Sequence, residues 1–219
     1  MPDTSTTTTT TTTAASLRDA RGNNIHELET PIGGGISLAP YDEANKITPE
    51  AMAADKKEVT LPDAYGKDAC IGLIKSDGGP QDGRDGGDSV TYYQRGYAST
   101  SMATLTTTFT AAENNALTRR ITLGEPDENG VYHVTDIVQP DKWCAYQEEF
   151  YKDGRVLRRA GVVQVTGNEP NQSTSGEDKG TALTVTWTPD EMYGNCAYIE
   201  SIYYPPTTGT TPSAPGGGE

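Results

Sequence analysis

Apolar residues in this chain come in short bursts separated by polar, glycine-rich connections, which is the patterning of strands and not of long helices. The segments that carry it are Ala69–Lys75, Ser89–Thr100, Met102–Thr110, Gly130–Val138, Lys142–Lys152, Arg155–Gly167, Ala182–Asp190 and Ala197–Tyr204. Ala69–Lys75 (ACIGLIK) shows little alternation and is expected as a strand buried on both faces. Met102–Thr110 alternates, with Met102, Leu105 or Thr106, and Phe109 as inward positions. Asp153-Gly154, between two strand segments, has the dipeptide of a two-residue hairpin turn. Asn168–Gly180 is a long polar connection, and the glycine- and acid-rich Ser76–Asp88 is expected as a loop.

One helix interrupts the pattern. In FTAAENNALTRRITLG, Thr110 can cap, Glu113 stands where a capping-box partner belongs, and Gly124 is a stop signal. Ala112, Ala116, Leu117 and Arg120 fall near helical spacing, and Ile121–Leu123 could pass into a strand. The fold class that follows is mainly β, a β-sandwich or barrel with one short α-helix.

The ends read differently. Thr6–Thr13 is an unbroken threonine run and residues 205–219 decay into Thr, Pro and Gly, so neither offers an apolar core to offset the entropy of ordering. Residues 14–66 read as an extended arm with spaced anchors, Leu17, Ile25, Leu28, Ile32, Ile36, Leu38 and Ile47, and a short helix starting at Thr48-Pro49. This divides the chain into a threonine-rich N-terminus (1–13), an arm (14–66), a β domain (67–204) and a tail (205–219).

Charge and chemistry then narrow the function. A formal charge of −14 argues against a protein that gains affinity by neutralising phosphates, though not against one past which DNA slides. No apolar run is long enough to span a bilayer, and the N-terminus lacks the pattern of a signal peptide, so synthesis in the cytosol is expected. Cys70, Cys144 and Cys196 are widely spaced, without the paired Cys-x-x-Cys or Cys/His clusters of a zinc site, and are expected as reduced, buried thiols. Histidine occurs only as His26 and His133, and no nucleophile elbow accompanies either. The acids Asp77, Asp82, Asp85 and Asp88 lack EF-hand spacing, and the glycines among them lack the Lys-Ser/Thr of a phosphate loop. Glu148 and Glu149 are neighbours on a strand and point to opposite faces. No enzyme, cofactor or metal is therefore expected. Arg155, Arg158 and Arg159 form a basic cluster that suits either a solvated edge or contact with the acidic surface of another copy.

The order GLIKSDG, VTYYQRGY and LTTTFTAAENNALTRRITLG, followed by EEFYKDGRVLRRAGVVQVTG and TALTVTWTPDE, resembles the major tail proteins of long-tailed, siphovirus-like bacteriophages. Phe109, Glu113, Asn114, Leu117 and Gly124 match the family's strand-to-helix pattern, and the likeness runs over about residues 69–190. The insertion after Asp77 is longer than the family's usual turn, and the stretch before Lys67 is also long. The resemblance implies a tail-tube-type β domain assembled as hexameric rings. Such rings stack into a virion tail tube around a tape measure protein, end on tail terminator and tail tip proteins, and later pass DNA without specific binding. On that view Leu17, Ile25, Leu28, Ile36, Arg158 and Arg159 make inter-subunit contacts, and Asp82, Asp85 and Asp88 face the lumen or an adjacent ring. The alternatives are a capsid-decorating or tail-surface Ig-like adhesin, and a carbohydrate-binding or hydrolytic β-sandwich with a sugar platform of Trp143, Trp187, Tyr92 and Tyr93.

Overall fold

The computed structural model describes residues 20–99, 101–136 and 140–206. The chain divides into two units, Met1–Thr30 and Pro31–Glu219. In the first, the described residues hold a short 3-10 turn, Ile25–Glu27, with Asn24 Nδ2 donating to Glu27 Oε1 at 3.0 Å. The threonine run and Leu17 lie outside the described residues, as do 207–219 of the tail.

The second unit is mainly β. Its large antiparallel sheet runs β1 (Pro31–Pro40), β6 (Lys142–Tyr151), β7 (Val156–Pro170), β8 (Thr181–Thr188), β5 (Ala103–Ala111) and β2 (Gln81–Gly86). A two-stranded ladder of β3 (Val90–Thr91) and β4 (Ala98–Ser99) stands apart. β7 is the spine. One edge pairs with β6, while the other pairs with β9 (Tyr198–Tyr203) through Val156–Gly161 and with β8 through Val162–Pro170. Neighbours on both edges and packing on both faces explain its nearly unbroken burial from Val156 to Val165. Gly161 is required where β9 comes close, because a Cβ there would lie 2.6 Å from Ala197 O.

The segment Cys70–Lys75 joins β1, at one end of this sheet, to the last residues of β5, beyond the part of that strand that pairs with β2. Ile71 N donates to Ile36 O at 3.0 Å, while Lys75 N donates to Thr110 O and Ala112 N to Leu73 O. The strands thereby close into a ring between β1 and β5. This segment is not the doubly buried strand its composition suggests: Gly72, at φ +88°, turns the chain, so Ile71 is fully buried and Leu73 is 70% exposed.

Two apolar clusters flank the sheet, set by the two-residue period of its strands. One gathers Ile36, Leu38, Phe109, Trp143, Ala145, Val163, Val185 and Trp187 with Leu117 and Ile121 of α1 (Ala116–Leu123). The other packs Ala39, Ile47, Met52 and Tyr65 against Cys144, Tyr146, Ala160 and Val162. The stretch from Pro31 is thus a strand and a covering layer of this unit, and the arm expected over 14–66 is corrected from that residue onward. Its apolar anchors are spaced to cover a sheet face of their own chain. Thr48 Oγ1 accepts from Ala51 N at 3.3 Å, but only turns follow and no helix forms.

α1 begins later than its capping signals suggest. Thr110 is engaged in β5, opposite Ala182, so Asn115 caps instead, accepting from Thr118 N at 2.9 Å. Gly124 ends the helix at φ 88°, with its N–H donating to Arg120 O. Thr118, not Arg120, shares the buried face with Leu117 and Ile121, and Ile121–Leu123 remains helical. Four residues, Lys152–Arg155, lie between β6 and β7 where a two-residue turn is expected, with Gly154 at φ 86° and Tyr151 N donating to Arg155 O. Val131–Asp136, expected as a strand, is irregular: Asp127 Oδ1 accepts from Asn129 N and Val131 N, a local turn that competes with strand pairing.

Candidate functional site

Between β2 and β5 the chain leaves the ring as an aromatic hairpin. Val90 pairs with Ser99, Thr91 with Ala98, and Tyr92 N donates to Tyr97 O at 3.1 Å. Gly96, at φ 90°, supplies the backbone turn. The strand expected over Ser89–Thr100 is therefore a hairpin, and none of the described residues covers it: Tyr93 is fully exposed, with Val90, Tyr92, Tyr97 and Met102 also on the surface. Met102, expected inward, lies just before β5, where the ladder has not begun. This group of exposed apolar side chains makes the hairpin the candidate interaction surface.

The acidic segment before it is an edge strand and not a loop. β2 pairs with β5 from Gln81–Thr108 to Gly86–Ala103, and all six of its residues are exposed. Asp85 and Asp88 are exposed, as a contact role requires. Asp82 is committed within the chain: it accepts from Thr107 Oγ1 at 2.8 Å and pairs with Arg159 Nη1. Arg159 Nε also reaches Glu200 Oε2 at 2.6 Å, and Trp187 Nε1 donates to Thr107 Oγ1 at 2.9 Å. Burial works against the Arg159 charge, but the two carboxylates overcome it and raise its pKa. The network ties β2 to β5, β7, β8 and β9.

Arg158, beside it on β7, faces the opposite way. It is 2% exposed, donates from Nη1 to Lys56 O at 2.7 Å and from Nη2 to Lys57 O, and lies over the Tyr203 ring. Its role is to clamp the covering layer onto the sheet. Ile36, 3% exposed, belongs to the inner cluster. The expected inter-subunit contacts of Ile36, Arg158 and Arg159 are thus replaced by contacts within the chain, whereas Ile25 and Leu28 are exposed at 74% and 63%.

Elsewhere, polar groups act as struts. Glu113 Oε1 accepts from Leu73 N at 2.9 Å, and Asn115 Nδ2 donates to Cys70 O and Ile71 O, so the turn before α1 holds the ring-closing segment. Asp190 Oδ2 accepts from Lys142 Nζ at 2.9 Å, and its carboxylate also takes Tyr41 Oη and Met192 N. Burial raises the Asp190 pKa, but these donors outweigh it and hold the carboxyl below its ordinary value. Glu148 accepts from Tyr146 Oη and Glu149 from Gln147 Nε2, which keeps the two carboxylates on separate faces. His133 Nε2 lies 3.1 Å from Asp127 Oδ2, and among the described residues no group of His, Cys, Asp and Glu is arranged to hold a metal. Trp143 and Trp187 are buried, which removes them from any sugar platform and leaves Tyr92 and Tyr93 on the surface.

Thr107, Glu113 as a strut, Asn115 and Asp190 were not evident as functional positions from sequence. Asn115, standing just before the periodic positions Ala116 and Leu117, was the one readable signal, as a cap. No family model matches this chain, and no curated protein matches it.

Proposed function

We propose that this protein is a structural subunit that works by self-association, as the tube-forming protein of a long phage tail. The observation that carries this reading is the uncovered aromatic hairpin built on β3 and β4, set beside an exposed edge strand. Exposed strand edges and apolar patches on a lone molecule invite pairing, and a closed ring of head-to-tail copies would satisfy both. In this reading the rings are hexameric and stack into a tube around a tape measure protein, bounded by terminator and tip proteins. Asp85 and Asp88, with the strongly negative charge of the chain, would keep phosphates from adhering to a lumen. The polar clusters are occupied in holding strands together, which favours a building block over a catalyst.

Negative-stain microscopy of the purified full-length protein tests the reading. Rings or tubes of uniform diameter are expected; a monomer at every concentration, with no association with virion tails, would overturn it. Reversing Arg158 and Arg159 is unsuitable as a test, because both hold the fold. A decorating protein is distinguished by stripping it from virions with the tail left intact.

A further inference from the structure

The ring closes over a very short ladder, and beyond it β1 and the Gly72–Lys75 segment part to leave an open slot. Ser37 bridges Cys70, but Ile74 bridges Ala111 on β5, so the two walls diverge. The resulting cleft of about 510 Å³ lies between Pro31–Gly34 on one side and Gly72–Ser76 with Gly79 and Pro80 on the other. Both walls present backbone. Ile36 O is taken by Ile71 N, so Gly34, two residues earlier on the same strand, turns its N–H and C=O in the same direction. Leu73 O and Lys75 N bond to β5, so the N–H and C=O of Ile74 between them point the other way, into the slot. Among the described residues neither Gly34 nor Ile74 has a backbone partner there. The rim is apolar, with Ile32 68% and Leu73 70% exposed. Its two charges are already engaged, Lys75 Nζ by Asp178 O at 2.7 Å and Glu149 by Gln147 Nε2 at 2.8 Å.

We propose that this slot receives an extended strand from a second copy of the chain, supplied by the threonine run Thr6–Thr13. A gap with main-chain donors and acceptors on both walls, and with one cation and one anion each hydrogen-bonded to a neutral group of its own chain, favours an uncharged, extended segment with small side chains. The chain outside the described residues contains one such segment. Thr4–Ser16 carries no charge, and its threonines suit a pleated backbone, whereas 207–219 is broken by prolines and glycines. An added strand would satisfy both walls at once and complete the ring of strands. This inference rests on the self-association proposed above and names one joint by which it proceeds.

Two full-length variants test it by sedimentation velocity. Thr8→Pro with Thr10→Pro removes strand pairing from the run, and Ile32→Asp with Leu73→Asp charges the rim at two surface positions. Unchanged circular dichroism and melting would show that both still fold. Each alone is expected to associate at least tenfold more weakly than wild type. An equimolar mixture should form one-to-one pairs that grow no further, since one partner retains the run and the other the slot. If wild type assembles and either variant assembles equally well, the slot inference falls and self-association stands. If the variants fail singly and the mixture stays monomeric, the run does not enter a second copy's slot, and the inference is again overturned. If wild type itself never associates, the proposed function falls first.

Discussion

The β6–β7 hairpin and the β3–β4 hairpin are written in similar residues, aromatics, arginine and a turn glycine, yet they end in opposite environments. In the first, Trp143, Tyr146, Tyr151 and Arg158 are buried; in the second, Tyr92, Tyr93 and Tyr97 face water. The difference lies in neighbours. The β6–β7 ladder is flanked by β1, β8 and β9 and roofed by the layer that includes Lys56 and Lys57, while among the described residues β3 and β4 pair only with each other. Residue type sets what a strand can bury, and the surrounding elements decide whether it does. An aromatic hairpin without such elements among the described residues is the natural place to expect another molecule.

The largest effect should come from the roof of the packed hairpin. Arg158→Met would leave the Lys56 and Lys57 carbonyls without their donors, and a loss of about 2–4 kcal/mol is expected from urea denaturation. Stability within about 0.5 kcal/mol of wild type would mean that the covering layer does not depend on this side chain, and the contrast between the hairpins would weaken.

The packed region should also carry an acid sensitivity. The Asp190 pKa is lower folded than unfolded: burial opposes this, but the Lys142, Met192 and Tyr41 donors prevail. A depressed carboxyl contributes stability that is complete above its unfolded pKa of about 4 and is lost as pH falls through the folded value. Denaturation midpoints at pH 7 and pH 3 should therefore differ less in Asp190→Asn than in wild type. An equal difference in both would remove Asp190 from the account.

How much of this was readable follows from what each pattern records. β6, β7, β8 and β9 were legible because core packing writes apolar positions into sequence. β2 was not: its Gln, Asp, Gly and Arg residues are all exposed and it is held through backbone bonds to β5, which leave no apolar signature. The start of α1 was misplaced because Thr110 already belongs to a strand, and local capping signals cannot show that. Arg158 looked like a surface charge because its acceptors come from residues about a hundred positions earlier in the chain. The exposed aromatic hairpin was hidden by the opposite error, since a run of tyrosines ordinarily signals burial.

A matched pair of glycine substitutions sharpens the comparison. Gly154 and Gly96 sit at φ 86° and 90° in the turns of the two hairpins, so alanine meets the same backbone penalty at each, about 1–2 kcal/mol. Gly154→Ala should lower global stability by at least that amount, because its ladder is continuous with the core and its Cβ would also lie 3.3 Å from Pro205 Cγ, whereas a Cβ at Gly96 meets nothing within 4 Å. Gly96→Ala should leave the melting temperature unchanged, because β3–β4 can open without disturbing the ring. A shift at Gly96 as large as that at Gly154 would show the aromatic hairpin to be part of the cooperative unit.

The smallest effect on folding should accompany the largest on assembly. Tyr93 is fully exposed, so Tyr93→Ser removes no contact from the folded subunit, and its stability should stay within about 0.5 kcal/mol of wild type. If the hairpin docks on another copy, the lost ring is a desolvated anchor of the kind that dominates interfaces, and association should weaken by tenfold or more. Sedimentation and melting on the same sample separate the two quantities. Reduced melting with normal association would place Tyr93 in the subunit's own fold. Normal values of both would assign the aromatic surface to a different partner, which leaves the slot beside β1 as the joint between copies.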